Sequence, residues 1–310
     1  MSSTEPFHWA LFTALLVGML ALDLLVFQRR VRAVSLKEAV SWSLFWLLLA
    51  LLFNAYVFYF RGHVDGINFL TGYLIEKSLS LDNLFIFLLI FDYFQTPPGS
   101  VRKVLFFGVI GAIVMRAIFI VIGIALVTYF HWILYVFGAF LIFTGIQFGL
   151  GKSKKIHPKK NPVVGGFRRL FPVARHYEGN QFFVFKRSRY FATPLCIVLL
   201  SIETADLLFA VDSVPAVLAI TRDPFIVYTS NIFAILGLRS LYFVLLHAKS
   251  IFYYMHYAVS FILVFVGIKM VFSDLFFISN IVSLIVIFSI LLGSITVSLL
   301  FPRKQPKEPR

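Results

Sequence analysis

A run of about twenty apolar residues crosses a hydrocarbon core of roughly 30 Å as a single α-helix. This chain of 310 residues contains nine such runs, at 7–27, 39–60, 68–94, 104–129, 132–150, 191–220, 225–247, 251–272 and 278–301. They raise the hydrophobic share to 60%, above the roughly 45–50% of soluble globular chains. A membrane barrel would instead need alternating segments of about ten residues, a pattern absent from the sequence. The first run is too long for a removable signal peptide, and it lacks the basic start and small-residue cleavage site. The predicted fold class is therefore all-α, a polytopic membrane protein of about nine transmembrane helices.

The formal charge of +14 raises the possibility of a nucleic-acid partner, and its distribution argues against one. Arg29, Arg30, Arg32 and Lys37 fall between runs one and two, and Arg102 and Lys103 between three and four. Eleven more lie in 151–190, Lys249 follows run seven, and Arg303, Lys304, Lys307 and Arg310 close the chain. The opposite loops hold Arg61 and Arg222. This is the positive-inside pattern. It places the N-terminus outside and the C-terminus in the cytoplasm of a multi-pass inner (plasma) membrane protein. The expected partners are the lipid bilayer and a divalent metal ion, with no nucleic acid; nothing names a protein partner.

An internal repeat organises the rest. Run three reads Glu76-Lys-Ser-Leu-Ser-Leu-Asp82-Asn83, and run six reads Asp206-Leu-Leu-Phe-Ala-Val-Asp212-Ser213. Each is a carboxylate, five residues, an aspartate, then a small oxygen-bearing residue. The following run in each case carries one arginine, Arg116 or Arg239. Run three enters from outside and run six from inside, so the motifs cross in opposite directions. The predicted organisation is two leading helices (1–67), a three-helix repeat (68–150), a basic cytoplasmic linker (151–190), an inverted three-helix repeat (191–272), and a final helix with a basic tail (273–310). Inverted repeats recur in secondary transporters, whose sites lie near the midplane between the repeats.

Each carboxylate at the centre of a membrane helix costs about 2.5–3.5 kcal/mol on the insertion scale. Glu76, Asp82, Glu203, Asp206 and Asp212 therefore need cations, protons or polar partners. Structural pairing with Arg116, Arg239 and Lys77 balances charge but leaves the repeated spacing unexplained. Carboxylate, amide and hydroxyl oxygens suit hard cations such as Mg²⁺, Ca²⁺ or Mn²⁺. Cys196 is alone, which excludes an intrachain disulfide and a thiolate cluster. The candidate metal site is Glu76, Asp82, Asn83, Glu203, Asp206, Asp212 and Ser213. Its candidate charge partners are Arg116, Arg239 and Lys77, with Lys269 a weaker one. Asp23 is expected to pair with Arg29 at the interface. Asn54, Gln147 and Asn231 read as interhelical hydrogen-bonding amides.

At 100° per residue, Glu76, Ser80 and Asn83 share one helix face, as do Glu203, Asp206, Ala210 and Ser213. Asp82 and Asp212 lie about 120° off those stripes. They converge with their partners only across the repeat interface or through a broken helix. Pro215 cannot donate to the carbonyl of Val211, so a break is expected over 211–215.

The stretches Ile75-Glu-Lys-Ser-Leu-Ser-Leu-Asp-Asn-Leu-Phe-Ile-Phe87 and Asp206-Leu-Leu-Phe-Ala-Val-Asp-Ser-Val-Pro-Ala-Val217 resemble the two signature segments of TerC/Alx membrane proteins. Asp223–Phe243 and Gly108–Ile120 resemble that family too. The resemblance implies the wider LysE-type transporter group, Mn²⁺ efflux and an association with tellurite resistance. It also implies members linked to membrane-protein assembly. The expectation is thus a Mn²⁺ exporter working by proton or ion antiport, with Mn²⁺ as cargo and no resident cofactor. The alternative is a non-transporting assembly or tellurite-type stress-resistance factor. An enzyme is not expected: Gly-x-Gly-Asp, His-Glu-x-x-His, Gly-x-Ser-x-Gly and Walker A patterns are absent.

Overall fold

The computed structural model describes residues 5–27, 34–130, 132–150, 162–174, 176–186, 189–247, 254–273, 275–276 and 278–300. The side chains of a few helical positions, Asp82 among them, also lie outside the description. In chain order the helices α1 to α5 are Glu5–Phe27, Leu36–Phe60, His63–Tyr93, Pro98–Tyr129 and Ile133–Gly149. A short α6 (Pro162–Leu170) and the strands β1 (Phe183–Lys186) and β2 (Arg189–Ala192) follow. The helices α7 to α11 are Pro194–Leu218, Pro224–Leu236, Leu238–His247, Met255–Val271 and Asn280–Leu300. Among the described residues, each apolar run of the sequence holds at least one helix. By length and apolarity α1, α2, α4, α7 and α11 can each cross a membrane, and α8 with α9 makes a sixth span bent by 41°.

The helix starts follow local chemistry. Pro98, Pro194 and Pro224 stand at first helical positions, where the missing N–H costs nothing. Ser35 caps α2 through the Glu38 N–H. Asp223 caps α8 by accepting from the Phe225 and Ile226 N–H groups at 2.9 and 3.1 Å. The same carboxylate receives Arg61 at 2.6 Å, and Arg61 also pairs with Asp65 at 2.9 Å. One guanidinium thereby fixes the start of α3 beside the start of α8.

The packing is reciprocal between the two halves: α3 lies chiefly against α8, and α7 chiefly against α4. The closest helix pair is α5 with α10. A Cβ on Gly138 would lie 2.9 Å from the Gly267 carbonyl oxygen, and Ser260 donates to the Gly145 carbonyl at 2.6 Å. Small residues at such contacts let helices approach in lipid, where burial from water supplies little attraction between them. An aromatic cluster of Phe12, Phe53, Phe69, Phe225 and Phe233 joins α1, α2, α3 and α8, with Phe53 and Phe233 rings 4.7 Å apart.

The linker region carries structure of its own, and one expectation fails. β1 and β2 pair as an antiparallel hairpin, and the segment docks on the ends of α3 and α4. Lys103 donates to the Asn180 carbonyl at 2.6 Å, and the Tyr177 hydroxyl to the Phe94 carbonyl at 2.8 Å. Burial pushes the Tyr177 phenol upward in pKa, which keeps it a donor. The expected break over 211–215 is absent. α7 runs unbroken through Pro215, and the Ala219 N–H returns to the Pro215 carbonyl at 3.0 Å. One missing bond does not stop a helix packed on several sides. A break does occur at Gly237, between α8 and α9, where a Cβ would lie 2.7 Å from Lys77 Nζ and 3.3 Å from Trp46.

Candidate functional site

The four helices α3, α4, α7 and α8 bring one charged cluster into the interior. Its centre is Arg116 on α4, 1% exposed beside the fully buried Glu76 of α3. The two form an ion pair at 2.6 Å (Nη1 to Oε1). The second terminal nitrogen lies 3.8 Å from Asp206 Oδ1 on α7. Arg116 Nη1 also donates to Ser213 Oγ at 2.5 Å, two turns along α7 from Asp206. Asn231 on α8 completes the ring by donating Nδ2 to Glu76 Oε2 at 3.0 Å. The helical spacing explains the α7 contribution: Asp206 and Ser213 are seven residues apart and share one face.

Several polar atoms here remain unsatisfied. Among the described residues, Asp206 Oδ2, Asn231 Oδ1 and Asn83 Nδ2 have no hydrogen-bond partner. A buried acceptor left without a donor costs about 1–3 kcal/mol. A cavity of about 20 Å³ adjoins Asp206, walled by Gly108, Ala112, Ile202, Ile235 and Arg239 among others. It has room for about one water-sized particle. Together Glu76, Asp206, Ser213 Oγ and Asn231 Oδ1 offer hard oxygen donors, the class that suits Mg²⁺, Ca²⁺ and Mn²⁺.

The remaining candidates are placed elsewhere. Glu203, one turn before Asp206, lies directly over Gly111 of α4, where a Cβ would collide with its carboxylate. Asp212 is buried on α7, but the acids that Arg116 reaches are Glu76 and Asp206. The 120° offset keeps it away from the stripe that faces α4. Asn83 is buried on α3 beyond the ring around Arg116, and Asp82's side chain lies outside the described residues. Among the described residues no three of Asp, Glu, His or Cys converge as a ready metal cage. The guanidinium stands between the acids.

The other candidate cations have partners of their own. Arg239 forms a very close ion pair with Asp23 of α1. Asp23 is thereby tied to α9; Arg29, its expected partner, lies outside the described residues. Lys77 turns away from its neighbour Glu76 and donates to the Ala234 carbonyl at 3.3 Å. A cation at that helix end is favoured by the dipole of α8. Lys269 binds Asn280 Oδ1 at 2.8 Å and Ser283 Oγ at 2.9 Å. Asn231 was underweighted by sequence reasoning. The available signal was its amide at the end of the polar triplet Thr229-Ser230-Asn231 within α8.

Comparison with known proteins adds a consistent finding. The model of the integral membrane protein TerC family matches residues 61–306. A Myxococcus xanthus protein, "Uncharacterized membrane protein STKORF319", is 46% identical over 302 residues, covering 97% of this chain and 95% of the relative. The "Putative membrane-bound redox modulator Alx" of Salmonella typhi is 44% identical over 314 residues, covering 98% of each chain. Its Escherichia coli K12 namesake is 45% identical over 295 residues, or 92% of each. No solved structure matches.

Proposed function

This chain belongs to the TerC family of integral membrane proteins, and on that premise we propose that it exports a divalent cation, Mn²⁺ foremost, from the cytoplasm. The observation that carries the reading is Arg116, a buried guanidinium clasped between Glu76 and Asp206 with Ser213 in reach. Arg116 is a tethered surrogate for the cargo. When it withdraws, Glu76, Asp206, Ser213 Oγ and Asn231 Oδ1 present oxygens to the ion, and Glu203 stands one turn away on α7. When the ion leaves, Arg116 returns and prevents two carboxylates from facing each other uncompensated.

The directions of the two motif helices, and the reciprocal packing of α3 on α8 and α7 on α4, support inverted repeats about a shared site. In this reading the N-terminus is outside, and the basic linker and tail are cytoplasmic. Carboxylates that release metal gain protons, so proton antiport supplies the driving force. No enzymatic step is invoked.

The relatives' printed name favours a second reading in redox physiology, with no transport by this chain. A thiol switch within it has little material, since Cys196 is the single cysteine and is buried in α7. An assembly or stress-resistance role would survive neutral variants of the acidic motifs; an exporter would not. The test is flux in proteoliposomes with Mn²⁺, Ca²⁺ and Mg²⁺, using Glu76→Gln, Asp206→Asn, Asp82→Asn and Asp212→Asn. Mn²⁺ flux that falls at least tenfold in E76Q and D206N supports the proposal. Absence of flux in folded wild-type protein, or flux unchanged in both, overturns it.

A further inference from the structure

A separate cavity lies far along the helices from Arg116. It has a volume of about 480 Å³ and is formed by Val64 and Ile67 of α3, the α7 end at Ala219 and Ile220, Lys269 of α10, and Ser273, Phe276 and 278–281 at the approach to α11. That volume far exceeds the roughly 30 Å³ share of a water molecule and falls in the range of small-molecule sites, about 300–1,000 Å³. Along α3, Ile67 is nine residues from Glu76, about 14 Å at 1.5 Å per residue. The cavity is therefore distinct from the acidic cluster.

Its chemistry is two-sided. Lys269 lines it and is nine-tenths buried. The ammonium donates to two neutral oxygens, Asn280 Oδ1 and Ser283 Oγ, leaving one of its three N–H bonds for another acceptor. No carboxylate pairs with it among the described residues. Asn280 is held in turn by Asn68 Oδ1 at 2.5 Å and the Ile220 carbonyl at 3.2 Å. The amino end of α11, at Ser279, Asn280 and Ile281, also borders the cavity, and helix amino ends favour negative charge. The rim is the opposite in character: Val64, Phe276 and Ile281 are 69, 69 and 53% exposed. A polar cationic floor behind an exposed apolar rim fits an amphiphile, with its anionic head inside and its chains along the rim.

We propose that this cavity is a binding site for the phosphodiester headgroup of an anionic phospholipid, held by Lys269 and the amino end of α11. The apolar rim favours a lipid over a soluble phosphate. The test is native mass spectrometry of the detergent-purified full chain with dioctanoyl phosphatidylglycerol, dioctanoylglycerol or inorganic phosphate. Wild type should retain phosphatidylglycerol saturably and the phosphate-free diacylglycerol at least tenfold less. Lys269→Met should lose that preference and Lys269→Arg should keep it. Should K269M fail to fold, Ile281→Trp, which fills the rim, should weaken phosphatidylglycerol retention about tenfold. Equal retention of diacylglycerol, displacement of the lipid by millimolar inorganic phosphate, or undiminished retention in K269M or I281W would overturn the proposal. Cation flux is not read in this experiment, so its failure leaves the export reading untouched.

Discussion

Arg116→Met removes the guanidinium while keeping a flexible apolar side chain in its place. The structure sets the scale of the effect. Glu76 and Arg116 are essentially unexposed and 2.6 Å apart, and Asp206 lies behind the second nitrogen. Taking one partner from a buried ion pair costs about 3–5 kcal/mol, because the remaining charge is left uncompensated. Two carboxylates remain here, so the upper part of that range is expected. A divalent cation that fills the gap restores stability as RT ln(1 + [L]/Kd), about 2.7 kcal/mol at a hundredfold excess over Kd. Wild type gains less from the same ion, because the ion must first displace Arg116. The assay is thermal unfolding of purified protein in detergent, in chelator and across a Mn²⁺ titration. R116M should be markedly less stable than wild type in chelator and should recover most of the loss with Mn²⁺. Its apparent Mn²⁺ affinity should exceed that of wild type, while flux in liposomes falls because the return step is missing. The triple variant R116M/E76Q/D206N carries no orphan charge and should regain stability without any ion. An R116M protein as stable as wild type in chelator, or one that gains no more from Mn²⁺ than wild type does, would refute the surrogate-cation argument.

Other consequences are open to direct measurement. Gly111→Ala pushes a methyl group into the Glu203 carboxylate and should cost about 1–3 kcal/mol as overpacking; liposome flux unchanged in that variant would remove Glu203 from the ion path. Asp23→Asn breaks the tie between α1 and α9 and should cost about 3–5 kcal/mol in a denaturant titration. The folded fraction of D23N should transport normally, whereas lost flux at full stability would return Arg239 to the ion site. Gly237→Ala displaces the flexible Lys77 ammonium from its place by α8 and should lower the unfolding midpoint only by the equivalent of that one hydrogen bond, about 0.5–1.5 kcal/mol. Gly138→Leu wedges α5 from α10 at the Gly267 carbonyl; unchanged thermal stability there would argue that this contact carries little packing energy.

The sequence alone settled much of this protein because lipid leaves the backbone few choices. Apolar runs of about twenty residues must satisfy their own hydrogen bonds and so become helices. Charged residues inside such runs must find partners, which marked Glu76, Asp82, Glu203, Asp206 and Asp212, with Arg116, Arg239 and Lys77, as candidates from the sequence. What the sequence could not decide is which charge meets which. Arg116 and Arg239 sit in matching contexts, yet one takes Glu76 and Asp206 while the other takes Asp23, 216 residues away in the chain. Lys77 adjoins Glu76 in sequence but points about 100° from it around the helix and caps α8 instead. The expected break at Pro215 does not form, because α7 is packed on several sides, while a break that the pattern did not announce stands at Gly237 between α8 and α9. Those outcomes depend on how helices cross in three dimensions. Interhelical packing decides them, and a one-dimensional pattern of apolar runs holds no record of it.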